Sequence, residues 1–257
     1  MIKLNRIKRW FIEMGSPPHF FTWSSKVLPW LYPFSFLVLL CGIIWGVFIA
    51  PTDYKQGDIY RIIFIHVPSA ILAQSIYIMM SVFGAICLIW RAKLAGMFLR
   101  SAAVLGGSFT LVALVSGSIW GKPTWGTWWV WDARLTSTLI LFFLYAGIIS
   151  LYSSIDNKQK GDRAASLISI VGVVIVPIIK KSVDWWQTLH QSSTFTLTSA
   201  PSMTADMYLP LLVCVLGFYL VFFSILFNKI RVEILIRERN TSWVKSYFLE
   251  KEDGNNI

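Results

Sequence analysis

The sequence predicts an all-α fold: a polytopic membrane protein with six transmembrane helices and both termini in the cytoplasm. Three observations carry that reading. Of 257 residues 56% are hydrophobic and only 14% charged, and the mean hydropathy of +0.62 exceeds what one water-soluble core can hide. The apolar residues gather into long runs, and in hydrocarbon only helices or closed barrels satisfy every backbone donor and acceptor; these runs are too long and continuous for barrel strands. The cations, finally, are lopsided: 17 of the 23 Lys and Arg residues fall in segments that all lie on one side if the runs alternate, which places that side in the cytoplasm by the positive-inside rule.

Residues 1–28 read as a cytoplasmic tail. Lys3, Arg6, Lys8 and Arg9 open it, and no small-residue cleavage site follows, so the first span is expected to stay as an anchor. The apolar runs lie at Pro29–Ala50, Ile62–Trp90, Ser101–Ile119, Thr138–Ile155, Ala164–Ile179 and Tyr208–Phe227, most of them close to the roughly 20 residues a span needs. They define one transmembrane domain over 29–227, with a loop at 120–137 on the outer, periplasmic side. Residues 228–257 read as a basic, partly helical cytoplasmic tail. The connector Asp156–Arg163 looks like a plain solvated link. Cys41, Cys87 and Cys214 each fall inside a run without C-x-x-C spacing, as small packing residues do. The net charge of +10 is a topology signal with attraction to the lipid bilayer, and no nucleic-acid module accompanies it.

The outer loops hold the chemistry. Trp120, Trp125, Trp128, Trp129 and Trp131 put five of 13 tryptophans within twelve residues. An interfacial aromatic belt is the plain explanation, but a belt rings both interfaces, whereas this cluster and the Trp185–Trp186 pair lie on the outer side alone. As a short surface helix, the segment would bring Trp125, Trp128, Trp129 and Asp132 onto one face. That face suits a large planar apolar ligand.

His66 precedes Pro68 by two residues, at or just ahead of a helix start, where the dipole favours the neutral imidazole that a metal requires. His190 follows Asp184-Trp-Trp-Gln187, the spacing of a capping box, so a short helix starting there would align Trp186 with His190. An interfacial histidine bonded to water explains either residue alone. Two on one membrane face, from separate loops and beside aromatics, suit a haem with His66 and His190 as axial iron ligands; a zinc site would need further ligands, and only Asp132 offers itself. Asp132 is expected to cap the fourth span through the Leu135 amide, and to orient Arg134 or an indole N–H. Among the outer cations, Lys180 and Lys181 fit headgroup contact, while Arg61 and Arg134 fit bidentate pairing with haem propionates. His19, in the N-terminal tail, is given no role.

These residues carry a resemblance. Trp120–Ser137, WGKPTWGTWWVWDARLTS, resembles the tryptophan-rich "WWD" signature of haem-handling proteins. With Tyr60–Pro68 and Pro177–Gln191 the chain is similar to the cytochrome c maturation protein C family, from about Trp45 to Gln191. The resemblance implies a haem-binding subunit of a bacterial inner-membrane complex, with an ABC-type ATPase subunit, that subunit's membrane partner and a small single-span subunit. It implies delivery of non-covalent haem b to a periplasmic haem chaperone. His66 and His190 match the family's external ligands; Trp120, Trp125, Trp128, Trp129 and Asp132 match the signature loop; Arg61 and Arg134 match basic positions tied to haem and chaperone handling. ATP hydrolysis belongs to a partner, so the chain itself is not expected to be an enzyme.

Three other readings compete. A b-type electron-transfer cytochrome buries its histidines within spans, and these two lie at the surface. A haem lyase-type enzyme needs catalytic groups, and no acid–base pair stands out. A solute transporter places its site at mid-membrane, beside broken helices or buried charge, and the apolar runs contain no Asp, Glu, Lys or Arg.

Overall fold

A computed structural model describes residues 15–186, 188–190 and 203–254. Its helices are α1 (Pro17–Ile44), prolonged by a π-helical turn (Trp45–Ile49), α2 (Ile63–Trp90) after a 3-10 turn (Asp58–Ile62), α3 (Lys93–Trp125), α4 (Ala133–Ser154), α5 (Lys158–Gly172), α6 (Ile175–Trp185), α7 (Ala205–Arg237) and α8 (Ser242–Gly254). Among the described residues six helical stretches are long and apolar enough to cross a bilayer, the fifth formed by α5 and α6 in tandem. The chain is a multi-pass membrane protein, as its composition requires.

The spans are longer than the apolar runs. α1 begins at Pro17, twelve residues before the expected start, with proline in the first turn where no amide partner is lost. α7 runs on through Asn228 to Arg237, so the first part of the expected tail continues a span; α8 supplies the helix predicted further along. The charges in this stretch explain the missed extension: Arg237 is bonded to Asp162 through two guanidinium nitrogens and to Glu233 one turn back. Asp162, only 5% exposed, also accepts the Tyr152 hydroxyl. The Asp156–Arg163 connector is therefore no plain solvated link; its end is the anion of a buried ion network joining α5 to α7. Such a network satisfies charges that neither lipid nor core would accept singly.

α2 packs chiefly on α3 and α5, and α1 on α7. Where α1 meets α7, Gly42 faces the Cys214 backbone and Gly217 the Leu39 backbone so closely that a methyl group would collide, the small-residue contact that lets membrane helices approach. Cys87 and Cys214 are buried packing residues, and Cys41 is exposed. Chain alternation puts the ion network at one end of the bundle. The segments 50–62, 126–132 and 188–190, with His66 and His190, are at the other.

Candidate haem site

Four pieces of backbone build the site end. α3 runs up to Trp125 and stops because Gly126 takes φ +79 and returns its amide to the Lys122 carbonyl, a left-handed C-terminal cap that glycine adopts without strain. Residues 126–132 then run as bends and coil. The expected surface helix over Trp125–Asp132 is thus absent, and the tryptophans do not share a helix face. Trp129 and Trp131 meet edge to face at 5.5 Å, and Trp128 turns outward, 57% exposed, with the Lys122 ammonium 6.0 Å from its ring.

Asp132 caps α4 as expected, its Oδ1 accepting the Leu135 amide at 2.7 Å. Its other oxygen takes the Thr188 hydroxyl, and neither Arg134 nor an indole N–H is bonded to it. Thr188 Oγ1 in turn accepts the His190 amide at 3.1 Å, so one carboxylate ties the third loop to the second. The expected helix start at Asp184 is not found. Asp184 lies in the last turn of α6, paired with Lys181 one turn earlier, and the helix stops at Trp185 because it began upstream; Gln187 lies outside the described residues. Trp185 and Trp186 contact each other edge to face at 5.7 Å and are 60% and 51% exposed. His190 reaches the site in coil, without the predicted helical alignment to Trp186.

His66 is the fourth residue of α2, not the first, because the 3-10 turn leads straight into the helix three residues ahead of it. Its ring lies across α3: Nδ1 is 3.0 Å from Ser116 Oγ, the ring centroid is 5.6 Å from Trp120, and Gly117 lies directly beneath Cε1. His190 stands against the same helix end, 6.3 Å from the Trp125 ring. Trp120 and Trp125 are separated by about 7.5 Å of helix rise. Arg134 Nη1 lies 2.9 Å from His190 Nδ1. A guanidinium only donates, so this ring nitrogen accepts and, in the neutral ring, Nε2 carries the hydrogen.

Arg61 is occupied elsewhere. The Trp45 carbonyl takes the Ala50 amide, and the residue that would serve Gly46 in a π-turn is Pro51, which has no N–H. Arg61 Nη1 supplies that missing donor at 3.0 Å while its Nε pairs with Asp58 at 2.9 Å. Neither of these bonds goes to a histidine. Sequence reasoning also missed Gln56, which accepts the Trp120 indole N–H at 2.8 Å, as well as Thr188, Ser116 and Gly117.

The site's donor set fits a haem. Two imidazoles, one from a helix and one from coil, stand by half-buried indoles, a guanidinium is bonded to one of them, and the buried Trp129 Nε1 has no acceptor among the described residues, leaving a donor for a carboxylate or water.

A multi-pass helical membrane protein with two histidines and a tryptophan-rich loop at one end is the class these features define. The family profile described as Heme exporter protein C (CcmC) matches residues 10–245. The chain is 44% identical to heme exporter protein C of Escherichia coli K12 over 93% of its own length and 96% of that protein. It is 42% identical to the Haemophilus influenzae protein of that name, over 93% and 97%, and 41% to that of Bradyrhizobium diazoefficiens, over 88% and 86%. This chain belongs to the heme exporter protein C family.

Proposed function

We propose that this protein binds haem b non-covalently, as cargo, at the periplasmic face of a bacterial inner membrane and presents it to a periplasmic haem chaperone for cytochrome c maturation. It acts as the haem-handling subunit of a complex whose ABC-type ATPase, membrane partner of that ATPase and small single-span subunit are separate chains, and it is not itself an enzyme. Charge supports the orientation: the end opposite His66 and His190 has most of the cations, which favours cytoplasmic termini.

One observation carries this reading: the two imidazoles arrive from different segments yet stand against one helix end, each beside its own tryptophan. That is the arrangement two axial ligands need, with indoles to cover the porphyrin faces and edges. His66 and His190 bind the iron. Trp120, Trp125, Trp128, Trp129 and Trp131 form the aromatic surround, with Trp185 and Trp186 at its margin. Arg134 exchanges the His190 nitrogen for a propionate, a stronger, charge-assisted partner. That exchange also releases His190 to turn a bare nitrogen toward iron. Arg61 contributes by bracing the loop under Trp120. Placing cargo at the surface leaves it accessible to a chaperone, which a buried electron-transfer haem is not.

The test is the absorbance spectrum of the purified, haem-loaded chain beside His66→Ala and His190→Ala. A low-spin spectrum in the parent, lost or turned high-spin in both variants, is the expected result. A spectrum unchanged by either substitution removes the axial-ligand assignment.

A further inference from the structure

We infer that Ser116 and Gly117 form a preset seat that fixes the tautomer and position of His66, so that Nε2 presents a bare lone pair before any haem arrives. This deepens the reading of His66 as an iron ligand and rests on it.

The argument starts with one hydrogen. Ser116 Oγ lies 2.6 Å from the Val112 carbonyl and 3.3 Å from that of Ala113. These are the usual back-bonding partners of a serine inside a helix, and a carbonyl can only accept. The hydroxyl hydrogen is therefore spent on α3's own backbone, and what remains for His66 Nδ1, 3.0 Å away, is an oxygen lone pair. Nδ1 must be the protonated nitrogen. In the neutral imidazole the other nitrogen, Nε2, is then unprotonated. A metal-binding histidine characteristically uses one nitrogen on the metal and anchors the other N–H on an oxygen, which fixes the ring and raises its basicity.

Gly117 sets the distance. A Cβ at this position would come within 2.9 Å of His66 Cε1 and 3.4 Å of Nδ1, closer than carbon atoms pack, so any side chain here lifts the ring off α3. Trp120 closes the remaining side, and its indole is held in turn by Gln56. Ser116 is 7% exposed and, among the described residues, its hydrogen bonds go to α3's own carbonyls and to His66, so its role is to position His66 and not to touch haem.

Two measurements test the seat, one without haem. The full chain contains three histidines, so ¹⁵N-histidine solid-state NMR of the haem-free protein in lipid bilayers resolves the His66 tautomer, assigned by its loss in His66→Ala. The expected spectrum shows His66 protonated at Nδ1. Ser116→Ala shifts the ratio toward Nε2–H. Gly117→Ala shifts it further, and Ser116→Thr, which keeps the hydroxyl, restores it. In the haem-loaded protein, Ser116→Ala and Gly117→Ala are expected to lower affinity about 10- to 100-fold, the usual effect of losing an outer-sphere partner, measured by haem loss to an apoglobin acceptor. The Ser116→Ala midpoint potential should move in the positive direction as the imidazole becomes less basic, and Ser116→Thr should reverse it.

An Nε2-protonated His66 in the parent, or a tautomer ratio indifferent to both substitutions, overturns the seat whatever His66 does with iron. A ratio that responds while haem loss and potential stay unchanged leaves the hydrogen bond standing and overturns the reading of His66 as ligand, and with it the purpose assigned to the seat.

Discussion

The two histidines are held by opposite means. His66 belongs to a membrane-spanning helix, and its ring is fixed against a second one by a serine, a glycine and an indole, all on α3. His190 lies in coil beyond the end of α6, where its amide hangs from Thr188, Thr188 from Asp132, and its ring from Arg134. The first is supported by backbone ladders that lipid protects, and the second by side-chain hydrogen bonds near the aqueous surface, the kind of structure that opens at least cost. The difference suits the proposed surrender of haem to a chaperone. On that proposal His66 is a built-in ligand that defines where iron would sit, and His190 is brought by a segment held, among the described residues, through Thr188, Asp132 and Arg134, which a partner would displace.

Asp132→Ala is the substitution expected to do most damage to the His190 side. It removes the cap of α4, worth about 1 kcal/mol, and the charged anchor of Thr188, where hydrogen bonds to charged groups contribute about 1.5–3 kcal/mol. Unfolding in mixed micelles should register a loss of about 2.5–4 kcal/mol, and haem should remain only weakly bound. Asp132→Asn keeps an oxygen for the Leu135 amide and should recover the cap alone. If Asp132→Ala leaves stability and haem retention intact, the carboxylate does not join the loops.

The two arginines separate next. Arg61→Ala strands the Gly46 carbonyl, at a cost of about 1–3 kcal/mol for an unsatisfied buried group, and should lower the melting temperature with the haem spectrum unchanged. Arg134→Ala should do the reverse: little loss of stability, faster haem loss, and a spectrum still low-spin because both imidazoles remain. A high-spin spectrum in Arg134→Ala would contradict the propionate role, and a spectral change in Arg61→Ala would bring that residue back to the haem.

What could be read in advance divides along the same line. The spans were legible because hydropathy integrates over many residues, and the Asp132 cap because it is local. The span ends were not: Glu233 and Arg237 look like tail residues until Asp162 is brought to them by the fold. The surface helix over Trp125–Asp132 fitted the spacing but ignored Gly126, a C-cap signal present in the sequence. The box at Asp184 matched a helix start, yet a start signal has meaning only where no helix is already running, and α6 was. Ser116, Gln56 and Thr188 gave no signal of their own, because their partners lie 50, 64 and 56 positions away, and a serine or glycine in a span reads as packing.

The smallest effect is the most selective probe. Thr188→Val keeps the shape of the side chain but removes the hydroxyl that donates to Asp132 and accepts from the His190 amide. Global stability should fall by only about 0.5–1.5 kcal/mol, as for an ordinary hydrogen bond, since α4 keeps its cap. The local consequence is larger than the global one. With its link gone, the His190 amide should exchange its hydrogen faster with solvent, while amides in α3 around Ser116 keep their protection. In the loaded protein haem should leave sooner through detachment of the loop-borne ligand first, giving a transient five-coordinate, high-spin species with His66 still bound. Stopped-flow spectra during transfer to an acceptor would detect it. If His66 detaches first instead, so that the intermediate vanishes with His190→Ala but persists with His66→Ala, the ordering drawn from the two seats is reversed.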